Sequence, residues 1–139
     1  MSVNALVPTI FGILGLVVAY FIFQKIKAYP TGDAKVTQIS DAIHLGAMVF
    51  MRREYTMLAV FVGVLFVVLL VFLGIGTAFS FIVGALASGA AGYIGMNTAT
   101  RANVRTTTAA HSSGPAEALT VAFYGGSIMG LCVASLGLI

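Results

Sequence analysis

Residues 55–100 read YTMLAVFVGVLFVVLLVFLGIGTAFSFIVGALASGAAGYIGMNTAT and contain no Asp, Glu, Lys or Arg. As one helix this stretch would be about 69 Å long at about 1.5 Å per residue, more than twice the hydrocarbon thickness of a bilayer. It must fold back. The break is legible at Gly74-Ile75-Gly76-Thr77, where two glycines permit a tight turn. The second span therefore ends near Leu73 and the third starts near Ala78. Working outward, residues 5–23 supply a first span. Residues 118–139 supply a fourth, interrupted by Gly125-Gly126 and Gly130.

Every charged side chain falls between these spans. Lys25, Lys27, Asp33, Lys35, Asp41, Arg52, Arg53 and Glu54 occupy 24–54, and Arg101, Arg105 and Glu117 occupy 101–117. Only 8% of the 139 residues are charged, 60% are hydrophobic and the mean hydropathy is +1.07. A soluble domain carries about 25% charge, so lipid must be the solvent for most of this chain. The fold expected is an all-α membrane protein with four transmembrane helices. A pI of 9.3 is compatible with nucleic acid, but no basic patch lies on a soluble face and there is no Trp, so nucleic acid is rejected as a partner.

Direction follows from Lys and Arg. Both charged loops hold them, whereas the N-terminus and the Gly74 turn hold none. The expected topology puts both termini outside and the loops 24–54 and 101–117 in the cytoplasm. Span one has no positive n-region and is followed by Lys25 and Lys27, so it reads as a retained anchor, not a signal peptide. In the first loop, Tyr29-Pro30-Thr31-Gly32-Asp33 is a turn signal. Ile39, Ile43, Ala47 and Met51 then recur every four residues, one apolar helical face that starts near Ser40 and Asp41. This helix either lies on the membrane surface or merges into span two at Arg52-Arg53-Glu54-Tyr55. Small residues recur every four positions at Gly84, Ser88 and Gly92, at Ala87, Ala91 and Gly95, and at Gly126 and Gly130. In lipid such faces let backbones approach, so spans three and four are expected to pack closely. Spans one and two, richer in Leu, Val and Phe, are expected to face lipid.

No ionisable Asp, Glu, Lys or Arg lies inside a span. Ion-coupled transporters place such groups there, so an independent small transporter is disfavoured. Arg101 and Arg105, four apart on a helical extension of span three, could clamp a phosphate. Positive-inside anchoring at a helix C-terminus explains them more simply. Asp41 and His44 supply two potential metal ligands, too few for a site. His111 lies in a small polar loop facing water. Cys132 is a small hydrophobe at a helix interface and has no partner for an internal disulfide. Gly74-Ile75-Gly76 lacks a following Lys and is not a phosphate loop.

Residues 92–106, GYIGMNTATRANVRT, resemble the third-helix signature of the membrane-bound, ion-pumping inorganic pyrophosphatases. Two further runs agree in order and spacing. Residues 43–55, IHLGAMVFMRREY, are similar to the family's entry into helix two, and residues 118–131, ALTVAFYGGSIMGL, to its fourth helix. The resemblance implies a homodimeric pump of sixteen spanning helices per subunit in two rings. Such a pump hydrolyses pyrophosphate with Mg2+, in some members with K+, and moves protons or sodium outward. Its acidic motifs belong to helices after the fourth. None occurs here, so the resemblance carries no catalytic, cofactor-binding or metal residue onto this chain. Residues 1–139 are expected to be the N-terminal part of such a pump, inactive alone, supplying outer-ring helices that brace the remaining pump helices. The short N-terminus suits a prokaryotic cell membrane. The chain reads as cut short or as one piece of a split protein, since Ile139 is followed by no polar cap. The alternative is a non-catalytic four-helix membrane scaffold or assembly subunit.

Overall fold

The computed structural model describes the backbone of residues 3–139 and the side chains of residues 6–139; Met1 and Ser2, at the terminus expected outside the membrane, lie outside this range. The chain forms four helices: α1 (Val3–Lys27), α2 (Ala34–Leu73), α3 (Ile75–Ser112) and α4 (Pro115–Leu138). All four are long and apolar enough to cross a membrane. At about 1.5 Å per residue, the 40 residues of α2 reach about 60 Å and the 38 of α3 about 57 Å. A bilayer core is about 30 Å thick, so roughly half of each helix projects from it. The projecting halves are the charged ones, and they are helical, not coil.

The turns follow from backbone chemistry. Gly74 alone separates α2 from α3, at φ 86° and ψ 170°, a conformation open to glycine and strained for other residues. Its carbonyl accepts from the N–H of Ala78 at 3.2 Å. The expected break is in place, but α3 begins at Ile75, three residues earlier than expected. At the other end of α3, the N–H groups of Ser113 and Gly114 both donate to the Ala109 carbonyl, at 2.8 and 3.1 Å. Pro115 then opens α4, where its missing N–H costs nothing. The first-loop helix starts at Ala34, not near Ser40 and Asp41, and it runs unbroken into span two. Its N-cap residue, Asp33, makes no side-chain cap bond. α4 is also continuous, because Gly125, Gly126 and Gly130 stay helical.

The helices pack as a row in the order α1, α4, α3, α2. α1 and α2, adjacent in sequence, do not meet, and α1 touches α3 only narrowly. The central contact is α3 on α4, as the small residues predicted. The buried residues of α4 are Ala118, Val121, Gly125, Ile128, Cys132 and Ser135, an alternating spacing of three and four. Ala91, Gly95, Thr98, Ala102 and Ala109 of α3 keep the same register. Such a repeat marks helices that pack at a shallow angle with side chains interdigitated. At Gly95 an added Cβ would sit 2.7 Å from Met129 Cγ, and at Gly125 one would sit 2.7 Å from Ala102 Cβ.

Three expectations about small residues need correction. A Cβ added at Gly84, Gly126 or Gly130 would meet nothing within 4 Å, so these positions face open space and not the α3–α4 contact. Gly92 faces α2, where an added Cβ would lie 2.9 Å from the Tyr55 hydroxyl. α1 is not simply lipid-facing. Gly12, Gly15, Ala19, Ile22 and Ile26 form a stripe on the three-four repeat, with Ala19 and Ile26 buried. A Cβ at Gly12 would meet the Ser135 carbonyl, and one at Gly15 would collide with Ser135 Oγ. The membrane-spanning half of α2 holds no buried residue within this four-helix row; Met51, before that half, is the helix's buried residue.

These contacts predict an asymmetric response to added bulk. Gly15→Leu and Gly125→Leu should each destabilise by about 1–3 kcal/mol through overpacking. Gly130→Leu, into open space, should stay within about 0.5 kcal/mol of wild type. Thermal unfolding in a single detergent, followed by helical circular dichroism, checks the order.

Candidate functional site

Polar contacts between helices gather at the charged end of the row. The Lys25 ammonium, at the end of α1, donates to the Tyr124 hydroxyl of α4 at 3.0 Å. One turn further on, the Tyr29 hydroxyl donates to Glu117 Oε1 at 2.8 Å. Glu117 lies in the first turn of α4, where a carboxylate also suits the free N–H groups of the helix. The connection between α1 and α2 is pressed on α3 at Gly32, whose φ is 81° and where a Cβ would lie 2.7 Å from Thr108 Oγ1.

A second set joins α2 to α3. The Tyr55 hydroxyl donates to the Gly89 carbonyl at 2.6 Å, reaching it across the space that Gly92 leaves open. His44 Nδ1 lies 2.7 Å from Thr100 Oγ1. The Thr100 hydroxyl donates back to the Met96 carbonyl at 3.0 Å. His44 and Thr100 therefore share a hydrogen bond across the helix pair, its direction set by the His44 tautomer. His44 thus latches two helices and does not pair with Asp41, which is exposed.

The arginines do not form a clamp. Arg101 Nε donates to Asn97 Oδ1 at 3.1 Å, and Arg105 Nη1 donates to the Arg101 carbonyl at 2.8 Å. Both guanidinium groups are laid back along their own helix. Arg105 Nε is buried without a hydrogen-bond partner. His111 falls in the exposed last turn of α3, not in a loop. Cys132 is buried among Ala19, Ala91 and Ile128, as a small interface hydrophobe.

The magnesium implied by the resemblance does not fit here. Among the described residues no three of His, Cys, Asp and Glu are grouped so as to hold a metal ion. Asp33, Asp41 and Glu54 sit on separate turns of chain, and Glu117 accepts from Tyr29. The arrangement can register four helices against one another.

The hydrogen bond to Glu117, and then burial, raise the Tyr29 pKa above its ordinary value of 10.0. The neutral phenol is the donor, so the contact holds below that ordinary value and is lost as pH rises through the raised one. An alkaline titration of tyrosinate absorbance should therefore contain a late component that Tyr29→Phe removes. In Glu117→Gln the same component should move back toward 10.0.

Comparison with known proteins agrees with this architecture. A family model described as inorganic H+ pyrophosphatase matches residues 13–139. A K(+)-insensitive pyrophosphate-energized proton pump of Methanosarcina mazei is 41% identical over 131 residues, covering 92% of this chain and 19% of the relative. A K(+)-stimulated pyrophosphate-energized sodium pump of Thermotoga maritima is 38% identical over 120 residues, covering 84% of this chain and 16% of the relative. The chain spans about a fifth of the length of the curated relatives it matches. With the matched region reaching from α1 to the end of α4, this four-helix chain belongs to the inorganic H+ pyrophosphatase family.

Proposed function

We propose that the chain is the N-terminal helical segment of a pyrophosphate-energised ion pump, and that its role there is structural. The observation that carries this reading is the family match over residues 13–139. It covers nearly all of the helical row yet only about a fifth of each relative. The relatives bear the names of proton and sodium pumps, with and without K+ stimulation. In this reading the complete pump hydrolyses pyrophosphate with Mg2+ and drives H+ or Na+ outward. The acidic groups for that chemistry lie on helices other than these four. α1 to α4 brace those helices, and the complete subunit pairs with a second copy.

The charge distribution supports an orientation. Lys25, Lys27, Lys35, Arg52, Arg53, Arg101 and Arg105 all fall at the end of the row opposite the Gly74 turn. The positive-inside rule sets that end in the cytoplasm and the Gly74 turn outside. A prokaryotic cell membrane accommodates this arrangement.

A split-pump assay tests the reading. Residues 1–139 are co-expressed with the part of the Methanosarcina mazei relative that follows its matched region. Membranes with both pieces should show Mg2+-dependent pyrophosphate hydrolysis and ion uptake, and membranes with either piece alone should show neither. If this chain accumulates as a stable membrane product but never restores activity, a free-standing scaffold becomes the better account.

A further inference from the structure

Because α4 lies between α1 and α3, those two helices flank an open groove with α4 as its floor. A cavity of about 280 Å³ occupies it, lined by α1, α3 and α4. Its deeper part is apolar, with Leu16, Ala19, Ile94, Ile128 and Cys132. Toward the charged end its walls become aromatic and polar, with Tyr20 and Phe23 on α1 and Asn97 and Thr98 on α3.

Three observations give the groove a chemical polarity. First, each wall ends in a cation folded over a lining residue. The Lys27 ammonium lies 4.9 Å from the centre of the Phe23 ring, and Arg101 Nε is bonded to Asn97 Oδ1. Neither cation is joined to a carboxylate among the described residues; Glu117 is engaged by Tyr29. Second, Thr98 is only 2% exposed and lines the cavity, yet its hydroxyl has no hydrogen-bond partner among the described residues. The hydroxyl oxygen is not itself sealed from the groove, so Thr98 offers a donor to whatever occupies the cavity. Third, these groups are ordered by depth. Thr98 lies about 4.5 Å along the helix from Arg101, and Ile94 about 6 Å beyond Thr98, at about 1.5 Å per residue. Cation, hydroxyl donor and apolar wall follow in that order.

We propose that this groove is a binding site for an anionic phospholipid. The phosphate sits between Lys27 and Arg101, where a cation pair meets an oxyanion. A glycerol ester carbonyl accepts the Thr98 hydroxyl one step deeper, and an acyl chain lies over Ile94, Ala19, Ile128 and Cys132. Charge complementarity selects this occupant. A bare hydrocarbon helix would leave the cations without a counter-charge and the Thr98 hydroxyl without an acceptor. A free phosphate would leave the apolar part of the groove empty.

The test uses the 139-residue chain purified in mild detergent and read by native mass spectrometry. Phosphatidylglycerol and phosphatidylcholine with identical acyl chains are offered in equal amounts. The wild-type chain should retain phosphatidylglycerol in preference, at roughly fivefold per participating cation. K27Q/R101Q, which alters exposed side chains, should lose that preference while keeping its helicity. Thr98→Val should weaken retention and leave the preference in place. Ile94→Trp, filling the groove from its open edge, should reduce retention of both lipids. Equal retention of the two lipids by the wild type would overturn the proposal, as would an unaltered preference in K27Q/R101Q. Displacement of the lipid by inorganic phosphate would assign the cations to a free anion instead. Release of bound lipid when a second copy or the remaining helices of the Methanosarcina mazei relative assemble on the chain would give the groove to a protein helix and sink the lipid assignment.

Discussion

Close approach of helix backbones is the constraint on which the rest of this structure depends. In lipid the hydrophobic effect does not draw one apolar helix onto another, so helices associate where dispersion contacts and hydrogen bonds can be dense. That density needs missing side chains. Gly95 opens a place for Met129, Gly125 for Ala102, and Gly12 and Gly15 for Ser135 and Ile139. α4 carries two such faces, one for α3 and one for α1, and so becomes the centre of the row. α2 has one attachment, through Tyr55 and His44 to α3, and leaves its spanning half to lipid or to other helices.

Polar side chains inside or beside the membrane then take positions set by this packing. Tyr55 reaches the Gly89 carbonyl because Gly92 has no side chain in its path. Thr56, Thr77, Ser80, Thr106, Thr107 and Thr108 satisfy their hydroxyls on carbonyls four residues back along their own helices. That is the least demanding solution where water is absent. Contacts between helices that use charge, from Lys25 to Tyr124 and from Tyr29 to Glu117, are confined to the charged end, where solvation is cheaper. The groove between α1 and α3, with Thr98 lining its cavity, departs from this economy.

The sequence-level reading located much of this because its signals are local. A charge-free stretch too long for one crossing must turn, and a residue able to take φ 86° was available at Gly74. Cys132 in an apolar run had to be an interface residue, and it is. The same reading missed the stripe Gly12, Gly15, Ala19, Ile22, Ile26, although its three-four spacing was a usable signal. It gave weight to Gly126 and Gly130 because they are small and four apart, yet they face open space. Spacing identifies a face able to pack, and several faces of α3 and α4 qualify. Asp41 and His44 failed as a pair for a related reason. A spacing of three within one helix says nothing of Thr100, which lies on another helix and shares a hydrogen bond with His44.

By itself, the amino-acid sequence determined the number of helices, the position of the turn at Gly74, the end of the row that carries the charge, and the family. Each is fixed by hydropathy, glycine stereochemistry or a run of residues read along one segment. Only the tertiary structure decided that α1 docks on α4 and not on its neighbour α2, that α2 runs unbroken from Ala34 to Leu73, and that Phe23, Asn97 and Thr98 line one groove. The physical reason is that helix pairing in lipid is chosen by surface fit between faces remote in the chain, a property of two helices together that neither sequence segment contains alone.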